Sequence, residues 1–220
     1  MRAAHARPSV LLLHGLWMHA PTMRWFATRL ERDGFDAKPL GYYSLLDDTE
    51  HTVGTIAEAL AAAPGRHVVA HSLGGLLALR AAMQISEVPV GRIVCLGTPL
   101  AGSRAAGGIC EKIPAGDKLI GQHLQLLLAG AGPLPAGVEV GMIAGSLPVG
   151  LGGLLARFEG EHDGSVAIEE TRLAGLADHI VLRASHSGLI FSNAAAAQAA
   201  CFLREGQFQH RESGGVAAIA

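Results

Sequence analysis

Residues 68–82 read VVAHSLGGLLALRAA, and the fold of the chain turns on why this apolar run breaks where it does. Val68–Ala70 has the composition of a short, fully buried strand, and Leu73–Ala82 that of a Leu/Ala-rich helix. Between them stand His71 and Ser72, with Gly74-Gly75 directly behind. An element that only filled a core would have no use for this interruption. A strand that ends and a helix that begins within one or two residues does need it. The turn is sharp, and small residues on either side let strand and helix approach. In an open parallel sheet, ligands sit beyond the strand ends where such helices begin. The polar break therefore both turns the chain and places a hydroxyl at that edge.

The same alternation runs outward in both directions. Residues 9–15 (SVLLLHG), 67–72 (HVVAHS), 92–97 (RIVCLG) and 138–145 (VEVGMIAG) read as buried strands. Residues 35–40 (FDAKPL), with Pro39 near the end, read as a more exposed strand, and 179–185 (HIVLRAS) as the last. Helical patterns lie between them: 22–34 with Gly34 past its end, 47–65 with acidic and Thr capping residues and a Pro64-Gly65 stop, and about 187–204 after the last strand. Strands alternating with helices are βαβ units, so the expectation is one α/β domain spanning residues 1–220. Its mostly parallel sheet would have about six strands, with helices on both faces. Residues 97–138 break the rhythm. Leu119, Ile120, Leu124, Leu127 and Leu128 there can form an amphipathic helix, so about 100–137 is expected to be either a packed helix or a lid-like insert. The Gly-rich tail, from about 207, is expected to be loose.

Composition excludes several classes. A chain of 220 residues, half of them hydrophobic and only 16% charged, is globular rather than disordered. A net charge of −2 without a Lys/Arg run argues against a nucleic-acid partner. The uncharged stretches 119–138 and 140–156 are broken by Gly and Pro, so no stable membrane span is expected. The N-terminal apolar run is too short for a secretory leader. The three cysteines, Cys95, Cys110 and Cys201, lack metal-type spacing. A reduced, cytoplasmic protein is the expectation, unless a leader has been removed.

Ala70-His71-Ser72-Leu73-Gly74 fits the small-x-Ser-x-Gly nucleophile elbow, in which the strained turn exposes the serine hydroxyl above a helix N-terminus. With LLLHGLW at 11–17, VAHSLGGLLA at 69–78 and LGTPLAGS at 96–103, the chain resembles the α/β-hydrolase superfamily. Within it, the likeness is to the small bacterial lipases and esterases with an AxSxG elbow, over about residues 9–204. The third motif resembles a GTPHxGS run, with Leu100 where His is usual, a departure expected to alter the cleft wall. The resemblance implies a Ser–acid–His triad in that chain order, an oxyanion hole of two backbone amides, and neither metal nor other cofactor for the chemistry.

A serine hydroxyl needs a base within hydrogen-bond reach. Of eleven histidines, His186 follows the last strand and precedes the last helix, where the resemblance puts the base. His71 is expected to project away from Ser72 as packing support, and His14 to brace its loop. Asp163 in EGEHDGSV fits the orienting acid, because Asp-Gly is a turn dipeptide and the run resembles the acid-bearing loop of lipases. Glu159 and Glu161 are its neighbours, and Asp178 sits at the wrong end of the last strand. The Leu73 amide, directly after the nucleophile, is one expected oxyanion donor; by resemblance the Leu16 amide is the other. Trp17 and Met18 are candidate substrate-binding residues; with Trp25 and the Leu-rich 119–128 segment they belong either to plain core, the commoner case for such a stripe, or to an acyl-binding wall at the cleft mouth. The expected activity is cleavage of carboxylic esters, lipid esters among them, through an acyl-enzyme on Ser72. A thioesterase or amidase on the same triad is the nearer alternative, and a non-catalytic binding scaffold the farther one. Neither the oligomeric state nor the acyl length follows from the sequence.

Overall fold

A computed structural model describes residues 6–85, 89–150, 158 and 160–210. Six strands form one sheet: β1 (Ser9–Leu13), β2 (Asp36–Pro39), β3 (His67–His71), β4 (Ile93–Leu96), β5 (Val140–Gly145) and β6 (Asp178–Leu182). Their order is β2-β1-β3-β4-β5-β6, and every pairing is parallel. The central strands are apolar on both faces because both faces are covered. Alternate residues split cleanly between two cores. Leu11, Leu13, Val68, Ala70, Ile93, Cys95, Val140 and Met142 pack beneath α2 (Thr49–Ala61) and α3 (Leu73–Gln84). Val10, Leu12, Val69, Val94, Leu96 and Ile143 pack against α1 (Arg24–Arg32) and the C-terminal helix, Asn193–Glu205. The edge strands β2 and β6 are only partly buried, as the polar residues of FDAKPL require.

The 100–137 stretch is helical, but as three short pieces rather than one: α4 (Arg104–Lys112), α5 (Gly116–Ile120) and α6 (Leu124–Ala129). Ala115 at left-handed φ and Gly121 and Gly130 at positive φ mark the breaks between and after them. Ile109, Ile120, Leu126 and Leu127 are buried in the α2/α3 core, while Leu119 and Leu128 stay exposed. Ile109, Ile120 and Leu127, with Ala106, also line the cleft described below. The C-terminal helix, here α7, ends at Gly206 in the left-handed conformation. The chain beyond it is held down: Phe208 is buried, and its amide and the His210 ring both bond to Asp178. Residues from 211 onward lie outside the described residues. Among the described residues no helix is long and apolar enough to cross a membrane.

The junction of β3 and α3 shows why its glycines are required. A Cβ on Gly74 would lie 2.5 Å from the His14 carbonyl oxygen and 3.1 Å from the Leu13 carbonyl carbon, both backbone atoms of the β1 exit. One on Gly75 would strike the Thr98 side chain at 2.1 Å. In an open helix, Gly→Ala gains about 1 kcal/mol. At Gly74 the clash is with backbone that cannot swing aside, so overpacking wins. Gly74→Ala is expected to destabilise the protein by about 2 kcal/mol, a fall of roughly 4–8 °C in the melting midpoint for a chain of this size. Thermal unfolding followed by circular dichroism checks this, and an unchanged or raised midpoint would contradict the close β1–α3 contact.

Candidate active site

The carboxyl ends of all six strands meet one edge of the sheet, and the strand order reverses between β1 and β3. A crevice opens at such a switch point. The loop after β1 carries His14-Gly15-Leu16, and the turn after β3 carries Ser72. Ser72 has φ 55° and ψ −124°, a conformation an L-residue adopts only under strain, costing about 1–3 kcal/mol. Ser72 lines a cleft shared with residues of α4, α5 and α6.

The structure brings three of the sequence candidates into one hydrogen-bonded chain. Ser72 Oγ lies 3.0 Å from His186 Nε2, and His186 Nδ1 lies 2.7 Å from Asp163 Oδ2. Ser72 and His186 are 114 residues apart in the chain. Asp163 is 1% exposed and its other oxygen is fully engaged: Oδ1 accepts from the amides of Ser165 at 2.9 Å and Val166 at 2.8 Å. That pattern is the tight Asx turn its Asp-Gly dipeptide encodes, with Gly164 at φ 99°. The His186 amide also donates to the Asp163 carbonyl at 2.8 Å, so the two loops are tied through backbone and side chain alike. Glu161 is exposed, and Asp178 begins β6 at the far end of the sheet. Glu159 lies outside the described residues.

Two glycines that sequence reading passed over make room for this chain. Gly97 follows β4 at φ 56°, and a Cβ there would lie 3.1 Å from both Asp163 Oδ2 and His186 Nδ1. A Cβ on Gly145, the last residue of β5, would lie 2.7 Å from Asp163 Cβ. Gly97 belongs to the LGTPLAGS motif and was therefore visible as a motif glycine; Gly145 carried no signal beyond ending an apolar run.

The amides of Leu16 and Leu73 have no protein acceptor among the described residues. The loop bearing Leu16 is built from below. The His14 ring bonds Gly15 O through Nδ1 at 2.9 Å and stacks on Tyr42, with centroids 4.0 Å apart. The Tyr42 hydroxyl donates to the His14 carbonyl. Burial lowers the His14 pKa and raises that of Tyr42, so both stay neutral and serve as packing and hydrogen-bonding struts.

His71 departs from expectation. Rather than projecting away as packing support, its ring sits 4.7 Å from the His186 ring, and Nε2 lies 3.0 Å from the His186 carbonyl oxygen. Burial, with the neighbouring His186 next, pushes its pKa down to about 3, so it is neutral at any ordinary pH.

A cleft of about 450 Å³ opens over Ser72 and His186. Leu16, Trp17 and Met18 form one wall, and Ala106, Ile109, Ile120 and Leu127 of the insert form the other. The Trp17 indole N–H donates to the Leu119 carbonyl at 2.7 Å, pinning the loop after β1 to α5. Two expectations about the walls change. Trp25 packs with Phe191 and Arg29 on the α1 side, away from the cleft. Leu100 is 1% exposed within the α2/α3 core, so it takes the place of a polar residue by joining the core rather than by reshaping the cleft. A larger hollow of about 930 Å³ along the outer side of α4 contains none of Ser72, Asp163 and His186. Among the described residues no group of three or more His, Cys, Asp or Glu side chains is placed to hold a metal ion.

No family sequence model matches the chain, and no curated protein sequence does. Solved structures do. The mature lipase BlEst2 of Bacillus licheniformis superposes with a TM-score of 0.76 at 20% identity, over 92% of this chain and 93% of that one. The propeptide form of the same lipase gives 0.76 at 19% identity, and this chain spans 54% of its length. The pyrethroid hydrolase PytH gives 0.65 at 14% identity, over 91% of this chain and 98% of that one. At these identities the likeness is one of architecture. With the all-parallel six-stranded sheet and its helical layers, it establishes that the chain has the α/β-hydrolase fold.

Proposed function

We propose that the protein is a serine hydrolase that cleaves carboxylic esters through an acyl-enzyme on Ser72. The observation that carries this reading is the hydrogen-bonded chain from Ser72 through His186 to a buried Asp163 at the open edge of the sheet. Asp163 accepts a hydrogen bond from His186 Nδ1–H, which fixes the tautomer and leaves Nε2 as a lone-pair acceptor facing Ser72. His186 removes the hydroxyl proton as Oγ attacks the acyl carbonyl carbon. The tetrahedral oxyanion is received by the Leu16 amide, in the loop after β1, and the Leu73 amide, at the start of α3. Collapse breaks the C–O bond to the alcohol, which takes the proton back from His186. Water then attacks the acyl-enzyme with His186 again as base, releasing the acid and restoring Ser72.

The walls of the cleft support an uncharged acyl substrate. Ile109, Ile120 and Leu127 face Trp17 and Met18 across it, and no Lys, Arg, Asp or Glu lines it among the described residues. Structural neighbours include a lipase, a pyrethroid hydrolase and a phospholipase, which is in keeping with an apolar ester. The insert at 100–137 then serves as a wall that shapes acyl selection. Three free cysteines suit a reducing compartment, and the cytoplasm is the location that goes with this reading.

Hydrolysis of p-nitrophenyl esters from acetyl to palmitoyl tests the reading. Turnover is expected, with an optimum at an acyl length that a cleft of about 450 Å³ holds. A fluorophosphonate should add covalently and stoichiometrically to Ser72, read by peptide mass spectrometry. Labelling without ester turnover would move the assignment to a thioester or amide substrate on the same site. Folded protein with neither would overturn the catalytic reading in favour of a binding scaffold.

A further inference from the structure

Ser72, His186 and Asp163 do not account for the ring beneath them. His71 is the last residue of β3, 2% exposed, and its neighbours come from three parts of the proposed site. It precedes Ser72 in the chain. Its Nε2 faces the His186 carbonyl oxygen at 3.0 Å. On its other side lies Gly15, where an added Cβ would stand 3.0 Å from His71 Nδ1 and 3.1 Å from Ser72 Cβ. A carbonyl oxygen only accepts, so the proton must reside on Nε2, and Nδ1 is left as a buried lone pair with no partner among the described residues. Leaving one ring nitrogen unpartnered in a buried site is unfavourable, and an apolar side chain of the same shape would avoid it. The site keeps the imidazole, which points to the one bond it does make.

We propose that His71 is a positioning residue whose Nε2–H holds the backbone carbonyl of His186, so that the His186 ring meets Ser72 Oγ and Asp163 at bonding distance. The inference rests on the serine-hydrolase reading above. His186 sits outside regular secondary structure, just past β6 and at the start of a short 3-10 turn, with no helix or strand to fix its backbone. Its amide is tied to Asp163 O, and its carbonyl to His71. Those two bonds grip the residue from both ends. The ring stays neutral because it is buried beside His186, so no fixed cation opposes the imidazolium that forms on His186 during acyl transfer. A small displacement of a catalytic ring lowers the rate far more than it weakens substrate binding.

The test compares His71→Phe, which keeps a ring and removes the donor, with His71→Gln, which keeps a donor on a longer chain. Each is assayed on the best p-nitrophenyl ester, with active sites counted by fluorophosphonate burst so that rates are per functional serine. In His71→Phe, kcat per titrated site is expected to fall between about tenfold and 10²-fold, with KM changed little. His71→Gln is expected to recover most of the loss. The His186 Nδ1 proton resonance, which reports the bond to Asp163, should broaden or shift in Phe and return in Gln. Unchanged kcat per site in His71→Phe overturns the proposal, as does a Gln variant impaired equally with Phe. If His71→Phe does not fold, His71→Asn takes its place: too short to reach the carbonyl, it is expected to fall well below Gln, and parity between the two again overturns the proposal. Wild-type protein that is not labelled at Ser72 would instead overturn the hydrolase reading itself, whatever the His71 variants do.

Discussion

Ser72→Ala is expected to lower ester turnover by roughly 10⁴-fold or more while leaving the fold intact. The size follows from the role. Without Oγ no acyl-enzyme forms, and what remains is direct attack by water beside the two amides and the neighbouring imidazole. Stability should change little, because Ser72 Oγ makes one hydrogen bond, to His186 Nε2, and alanine keeps the same strained backbone at φ 55°. Ser72→Gly gives the complementary readout. Glycine is at ease at positive φ, so this variant should be as inactive as alanine yet melt higher, by the equivalent of about 1 kcal/mol. Steady-state turnover, fluorophosphonate labelling and thermal melts check all three statements. Ser72→Ala protein that keeps most of its turnover would remove the acyl-enzyme on Ser72 from the mechanism.

On the proposed mechanism Asp163→Asn is expected to cost about 10⁴-fold in kcat, for a reason that lies in its hydrogen bonds. The two oxygens of Asp163 are not equivalent. Oδ1 is held by the amides of Ser165 and Val166, and both can only donate. An asparagine must therefore turn its carbonyl oxygen to them and its NH₂ group to His186 Nδ1. His186 would answer by presenting the Nδ1 lone pair and carrying its proton on Nε2, facing Ser72. A protonated Nε2 cannot take the serine proton. Substrate affinity should be almost unaffected, since Asp163 does not line the cleft. Glu161→Gln, at an exposed neighbour, should leave both kcat and KM near wild type. Loss in Glu161→Gln with retention in Asp163→Asn would reassign the acid.

The origin of each feature divides by range. The strands were legible as short runs, apolar except in β2, with β1, β4 and β5 running into glycine and β2 ending at Pro39, and their pairing into a parallel sheet follows from the helical patterns between them. The Ser72 turn was legible because its steric demand is local: Gly74 lies two residues from the serine it frees. The Asp163 turn was legible for the same reason, since the amides that bind its Oδ1 are two and three residues ahead. The insert was legible as helical over 119–128 but not as three pieces, because its Leu and Ile spacing there reads through the break at Gly121.

What needed the folded chain is long-range. His71 Nε2 and the His186 carbonyl are 115 residues apart, Trp17 and Leu119 are 102 apart, and Tyr42 and His14 are 28 apart. Alternation along β3 argued that His71 points away from Ser72 as packing support, yet its ring lies against His186 and lines the same cleft as Ser72. The path of the loop between β6 and α7 brings the His186 carbonyl onto the His71 ring. Leu100 and Trp25 went to the core and to α1 for the same reason: an apolar residue next to a motif carries no mark of which apolar surface will cover it. A local sequence determines backbone conformation, element type and the candidate groups at strand ends, through sterics and periodicity acting over a few residues. Which of those groups come within 3 Å of one another is decided by how loops from distant strands pack over a shared edge, and that only the tertiary structure supplies.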